Sequence, residues 1–262
     1  MNKFGHFISL IVLFLLCHPS AFSQYHIQAS IPDLPGDTII FGHYFNERIM
    51  IKDTFALDQQ GKGSIQGDES LPEGMYTLYL PGQQRLDILI GEDQKFSLES
   101  RASDLLTTTR FTGSEENKLF YEYLNFLSLK RSEIKPYQDI VKNPSSTEDS
   151  LKAREQLNAL DHEVSSFVND LINEHTDLFI SSFLKSMKEV EVPDPPVDEK
   201  GMVTDSGFQA RYFKEHYFDH FDISDVRLLR TPTYERKLTN YLDNWIYPDP
   251  DSIKAEVDWL ID

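Results

Sequence analysis

The stretch Phe111-Thr112-Gly113-Ser114-Glu115-Glu116-Asn117-Lys118-Leu119-Phe120-Tyr121-Glu122-Tyr123-Leu124-Asn125-Phe126 is where the chain changes its physical period. Up to Thr112 apolar residues alternate with polar ones, as in half-buried strands. From Leu119 onward they recur every three or four residues, as in amphipathic helices. Gly113 lets the chain turn out of the last strand, Ser114 is placed to cap the new helix, and Glu115 and Glu116 set carboxylates at the positive end of its dipole. The fold class that follows is α+β: an antiparallel β-sandwich over residues 24–112, then an all-helical domain over 113–262.

Upstream of the break, short runs rich in Ile, Tyr, Phe, Leu and Thr predict strands at Tyr25–Ile31, Asp37–Tyr44, Arg48–Leu57, Gly74–Leu80, Arg85–Ile90, Lys95–Glu99 and Thr107–Phe111. Pro35-Gly36, Gly61, Pro72-Glu73-Gly74, Pro81-Gly82 and Gly91 supply the turns between them. No helical period lies between the strands, so antiparallel pairing is expected, because parallel neighbours need a crossover. Gly61-Lys62-Gly63 lacks the spacing of a phosphate loop and continues as a strand. Tyr44, Phe45, Tyr76 and Tyr79 suggest either a sugar-binding platform or, as the preferred reading, sandwich core.

Downstream, a first helix is predicted from Ser114 to about Ile134, ended by Pro136. Ser145 with Glu148 reads as the capping box of a second, whose Ala153, Leu157, Leu160, Val164, Phe167 and Leu171 form a seam for a neighbouring helix. A third is expected over Asp177–Val190. Pro193, Pro195 and Pro196 then open an acidic loop, 191–207, expected to be a mobile connector. Further helices follow around Phe208–Phe221, after Thr231-Pro232 and after Asp249-Pro250.

Catalytic motifs do not emerge, and no catalytic residue and no cofactor is assigned. His216 and His220, four apart, would share one helical face and are the metal candidates. The glutamate of a metalloprotease motif is replaced by Tyr217, and the surrounding aromatics favour a packed helix over a metal site. Arg227 and Arg230, with Tyr217, make the candidate interaction set for a carboxylate, against the plainer reading of ion pairs at a helix junction.

The N-terminus reads as an address. Lys3, the apolar run Phe7–Leu16 and the small residues of Ala21-Phe22-Ser23 predict a signal peptide over 1–23, with the mature chain starting at Gln24. Bulky Leu16 before Cys17 argues against a lipid anchor, and the run is too short to span a bilayer, so export to the periplasm is expected and an integral membrane protein is not. Cleavage removes the single cysteine, and with it disulfides and thiolate chemistry. A net charge of −18 disfavours nucleic acid as a partner, because binding it requires phosphate neutralisation.

Leu71-Pro72-Glu73-Gly74-Met75-Tyr76, the Phe111–Asn117 junction, and the segments His216-Tyr217-Phe218-Asp219 and Asp225-Val226-Arg227-Leu228-Leu229-Arg230-Thr231-Pro232 resemble the N-terminal half of exported Bacteroidetes proteins of the TlpA-like thiol-disulfide oxidoreductase group. The resemblance covers almost the whole mature chain. It implies a β-rich and a helical domain of unknown function ahead of a thioredoxin-fold domain carrying Cys-x-x-Cys. No Cys-x-x-Cys occurs before Asp262, so no redox residue carries over. The function expected is a noncatalytic accessory or partner-recognition module, acting on a protein partner or a downstream thioredoxin-fold domain. A sandwich that holds a glycan or small ligand is the alternative. Intact mass of the exported protein should correspond to a chain beginning at Gln24; a species beginning at a lipid-modified Cys17 would contradict the assignment.

Overall fold

In the computed structural model, which describes residues 23–261, two four-stranded sheets are followed by helices. The predicted signal peptide lies outside the described residues apart from Ser23. The strands are β1 (Tyr25–Ser30), β2 (Thr38–Phe45), β3 (Arg48–Ala56), β4 (Lys62–Gly67), β5 (Gly74–Leu80), β6 (Gln84–Ile90), β7 (Lys95–Glu99) and β8 (Arg110–Thr112). One sheet runs β4-β1-β7-β8, the other β3-β2-β5-β6. The second is antiparallel throughout, but β1 and β7 pair in parallel, with Ile27 opposite Phe96. Wholly antiparallel pairing is therefore corrected. Strands of the opposite sheet carry the chain back between β1 and β7, so the crossover needs no helix.

Alternation along each strand fills the sandwich. Ile27, Phe96, Leu98 and Phe111 are buried on one sheet, and Ile39, Phe41, Leu78 and Ile88 on the other. Tyr44 and Tyr76 are both buried but lie on opposite faces of their sheet, since Gly42 pairs Thr77 and His43 pairs Tyr76. They do not form a shared platform. The expected strand at Thr107 is instead the short helix α1 (Leu105–Thr108), because the Asp104 side chain accepts the Thr107 amide and caps a turn there.

The helices are α2 (Glu115–Lys142), α3 (Thr147–Glu174), α4 (Phe179–Ser186), α5 (Phe208–Glu215), α6 (Tyr234–Trp245) and α7 (Pro250–Ile261). Pro136 does not end α2, which runs through it; the surrounding turns are largely exposed, so the carbonyl that loses its amide partner can be met by water. Ser146 caps α3 in place of Ser145, accepting the Asp149 amide and donating to its carboxylate. The predicted seam packs along α2, where the Phe126 and Phe167 rings stack at 3.9 Å. The third predicted helix shrinks to α4. The 191–207 loop is ordered by a Val197–Val203 bridge and by Asp198, whose carboxylate accepts the amides of Lys200 and Met202.

Sandwich and helices share one core, and its polar heart is the start of α2. Ser114 caps that helix by accepting the Asn117 amide at 3.3 Å. The Asn117 side chain in turn mimics a strand edge, accepting the Leu89 amide at 2.8 Å and donating to the Leu89 carbonyl at 2.7 Å. Glu115 stays at the surface beside Lys118. Glu116 is buried, and its two oxygens accept the amides of Phe179 and Ile180 at 2.6 and 2.8 Å. These are the first amides of α4, whose N-cap residue, Leu178, has no side chain able to take them. Gly91 makes the room, since a Cβ there would sit 2.7 Å from a Glu116 carboxylate oxygen.

Burial pushes the Glu116 carboxyl above its ordinary range, against the opposing pull of the two amides and Arg227. The sign follows: the fold holds a proton there more readily than the unfolded chain does, so this group's contribution falls as pH rises above the ordinary glutamate value. Glu116→Ala leaves two buried amides without acceptors and should cost roughly 2–5 kcal/mol of stability in chemical denaturation. Glu116→Gln, which keeps one acceptor, should cost less. A loss under about 0.5 kcal/mol for Glu116→Ala would show that the amides find other partners.

Candidate interaction surfaces

Two places concentrate polar or apolar groups that the fold does not use up. The first is the junction where the 3₁₀ turn Leu228–Arg230 docks on the sandwich. The turn meets the β2–β3 hairpin through the Asn46 amide, which donates to the Leu229 carbonyl at 2.8 Å. Arg230 lies against Gly74 at the start of β5, where φ is +145° and an added Cβ would fall 2.4 Å from the Arg230 Cβ. Three polar atoms here, His43 Nδ1, Asn46 Oδ1 and Arg230 Nε, are buried without a hydrogen-bond partner among the described residues. Burial, with Arg230 and Lys52 nearby, holds His43 below the usual imidazole range. Around the same hairpin, large apolar side chains face solvent: Phe45, Met50 and Ile51 are 46%, 50% and 68% exposed, and Val226, two residues before the turn, is 65% exposed. β3 is also an edge strand.

Arg227, one of the predicted interaction residues, is engaged within the fold. Its guanidinium donates to both oxygens of Asp225 at 2.8 and 2.7 Å and to Ser182 at 2.9 Å, approaches Glu73 at 3.5 Å, and sits 5.4 Å from the Phe179 ring centre. Burial pushes the Asp225 carboxyl up, but the Arg227 hydrogen bonds outweigh it and hold the pKa below the ordinary value. Arg227 thus braces the end of the clasp that Glu116 begins.

The second place is a cleft of about 480 Å³ between the chain after α4, the end of α5 and one face of α6. Tyr217, the third predicted residue, forms part of its wall. The Tyr217 hydroxyl accepts from Asn240 Nδ2 at 2.7 Å and donates to the Lys237 carbonyl at 3.1 Å, while the Lys237 ammonium lies 4.9 Å from the Tyr217 ring centre. Lys188, Arg236 and Lys237 line the cleft beside Phe213 and Met187. Lys188 donates to Asn169 Oδ1 at 2.9 Å, and none of the three cations has a carboxylate within ion-pair distance among the described residues. Sequence reading found Tyr217 but not these lysines, because the cleft unites separated segments with no shared motif.

His216 and His220 do not share a helical face. α5 stops at Glu215, and hydrogen-bonded turns carry the chain through both histidines. His216 Nδ1 is 2.7 Å from an Asp219 oxygen and its ring lies 4.0 Å from that of Tyr212. Burial, then Lys188, lowers the His220 pKa. Among the described residues no group of three or more His, Cys, Asp and Glu is placed to hold a metal. No helix among them is long and apolar enough to cross a membrane.

Residues 142–262 match the family model described as a domain of unknown function, DUF5106. The match takes in α3 to α7, the cleft and the 3₁₀ turn, and leaves out the sandwich and nearly all of α2. No curated protein and no solved structure matches the chain.

Burial lowers the Lys237 pKa, with Glu189 opposing it weakly. Between the lowered value and the ordinary lysine value of about 10.4, the unfolded chain binds more protons there, so stability from this group rises with pH across that window. Reductive ¹³C-methylation should place the Lys237 resonance midpoint below the ordinary lysine value of about 10.4. A midpoint at that value would show that Lys237 is fully hydrated.

Proposed function

We propose that the protein is a noncatalytic exported recognition module that works through protein contacts, as its resemblance to the N-terminal half of TlpA-like proteins implies. The observation that carries this reading is the exposed apolar pair Phe45 and Met50, which share one face of the β2–β3 hairpin because Phe45 pairs Arg48 and His43 pairs Met50, on the hairpin that meets the turn following exposed Val226. Clustered apolar side chains at an open strand edge are costly to leave in water and mark contact surfaces. The turn that follows Val226 docks on this hairpin through the Asn46 amide, and the Asn117 contacts with Leu89 fix the helical half to the sandwich. A thioredoxin-fold domain, downstream or on a separate chain, is the partner that the resemblance favours.

The alternative, a glycan or small ligand held by the sandwich, loses its main support because Tyr44 and Tyr76 are buried on opposite faces. Photo-crosslinking residues placed at Met50 and Val226 should capture one and the same protein in the cell envelope, and a residue at exposed Glu155 on α3 should capture none. Adducts from all three sites alike, or from none, would contradict the proposal.

A further inference from the structure

We propose that the cleft between α5, α6 and the chain following α4 is a binding site for a small organic anion with a carboxylate head. The inference stands apart from the junction surface and from any protein partner. Its first support is charge. In a chain with 43 acidic and 25 basic residues, cations are scarce. Lys188, Arg236 and Lys237 nevertheless line one concavity, and none of them has a carboxylate within ion-pair distance among the described residues.

The second support is shape and lining. About 480 Å³ lies within the range of small-ligand sites. Phe213 and Met187 offer apolar surface, and the Tyr217 hydroxyl is fixed by Asn240 and the Lys237 carbonyl. A half-buried ammonium over an aromatic ring has lost part of its hydration without gaining an ion-pair partner, Glu189 acting on it only from beyond ion-pair distance, which makes an incoming carboxylate favourable. An inorganic anion would satisfy the cations but leave the apolar wall uncovered. The ligand class that answers both is therefore a carboxylate with an apolar body. Glu189, also in the lining, sets an upper limit on ligand charge by repelling a second anionic group.

The probe is benzoate, with neutral benzamide and inorganic phosphate as controls, titrated into ¹⁵N-labelled full-length protein. Benzoate should shift the Phe213, Tyr217 and Asn240 amides with a saturable curve, and benzamide should not. Lys237→Met, which keeps the apolar stem, should weaken benzoate binding about tenfold or more, while Lys237→Arg retains it. Because Lys237→Met removes a partly desolvated charge, its melting temperature should not fall, so lost binding will not reflect unfolding. Lys152→Gln on α3 should bind as the parent does. Equal responses to benzoate and benzamide, unchanged binding in Lys237→Met, or phosphate binding as tight as benzoate would each overturn the proposal.

Discussion

Two adjacent buried side chains at the start of α2 hold the molecule together: Asn117 ties the helix to the sandwich, and Glu116 ties it to α4. Glu116 sits in the first turn of one helix and accepts the first two amides of another, so the positive ends of two dipoles converge on it. One residue on, Asn117 pairs with the Leu89 backbone and fixes the same helix to the sheet. Because α2 begins at this point, its direction and the position of α4 follow from these few bonds. Arg227 extends the arrangement to the 3₁₀ turn and to Glu73 ahead of β5. An exposed ion pair in the same place would contribute little; burial is what makes each missing partner expensive.

The acidic composition acquires a geometric meaning. Among the described residues, the cations without a carboxylate at ion-pair distance include Arg230 at the junction and Lys188, Arg236 and Lys237 about Tyr217. Arg230 and Lys237 both lie within residues 142–262, the part that matches a family model. Their neighbours are aromatic, so positive charge and ring faces occur together.

Much of the architecture was legible because period is a local property. The change at Gly113 located the switch from strands to helices, and Ser114 and Asp249 were read as caps from their immediate neighbours; the Asp249 carboxylate does accept the Asp251 and Ser252 amides. Errors arose where a tertiary contact or a turn overrode a local signal. Pro136 was read as a stop, yet an exposed helix tolerates the lost bond. His216 and His220 looked helical by spacing, but α5 had already ended. In the sequence Glu116 is a first-turn dipole partner like Glu115; nothing in its neighbourhood reveals that Phe179 and Ile180, more than sixty residues away, present their amides to it. The parallel pairing of β1 with β7 was hidden for the same reason, since strand order across two sheets is not a local property.

Native-state hydrogen exchange at three amides tests the central claim most directly. If the Glu116 and Asn117 contacts join sandwich and helices into one cooperative unit, the amides of Leu89, Phe179 and Ile180 should exchange through a common opening, with the same dependence on denaturant. Exchange of the Phe179 and Ile180 amides orders of magnitude faster than that of Leu89, with no denaturant dependence, would show that the two halves open separately and would contradict the account.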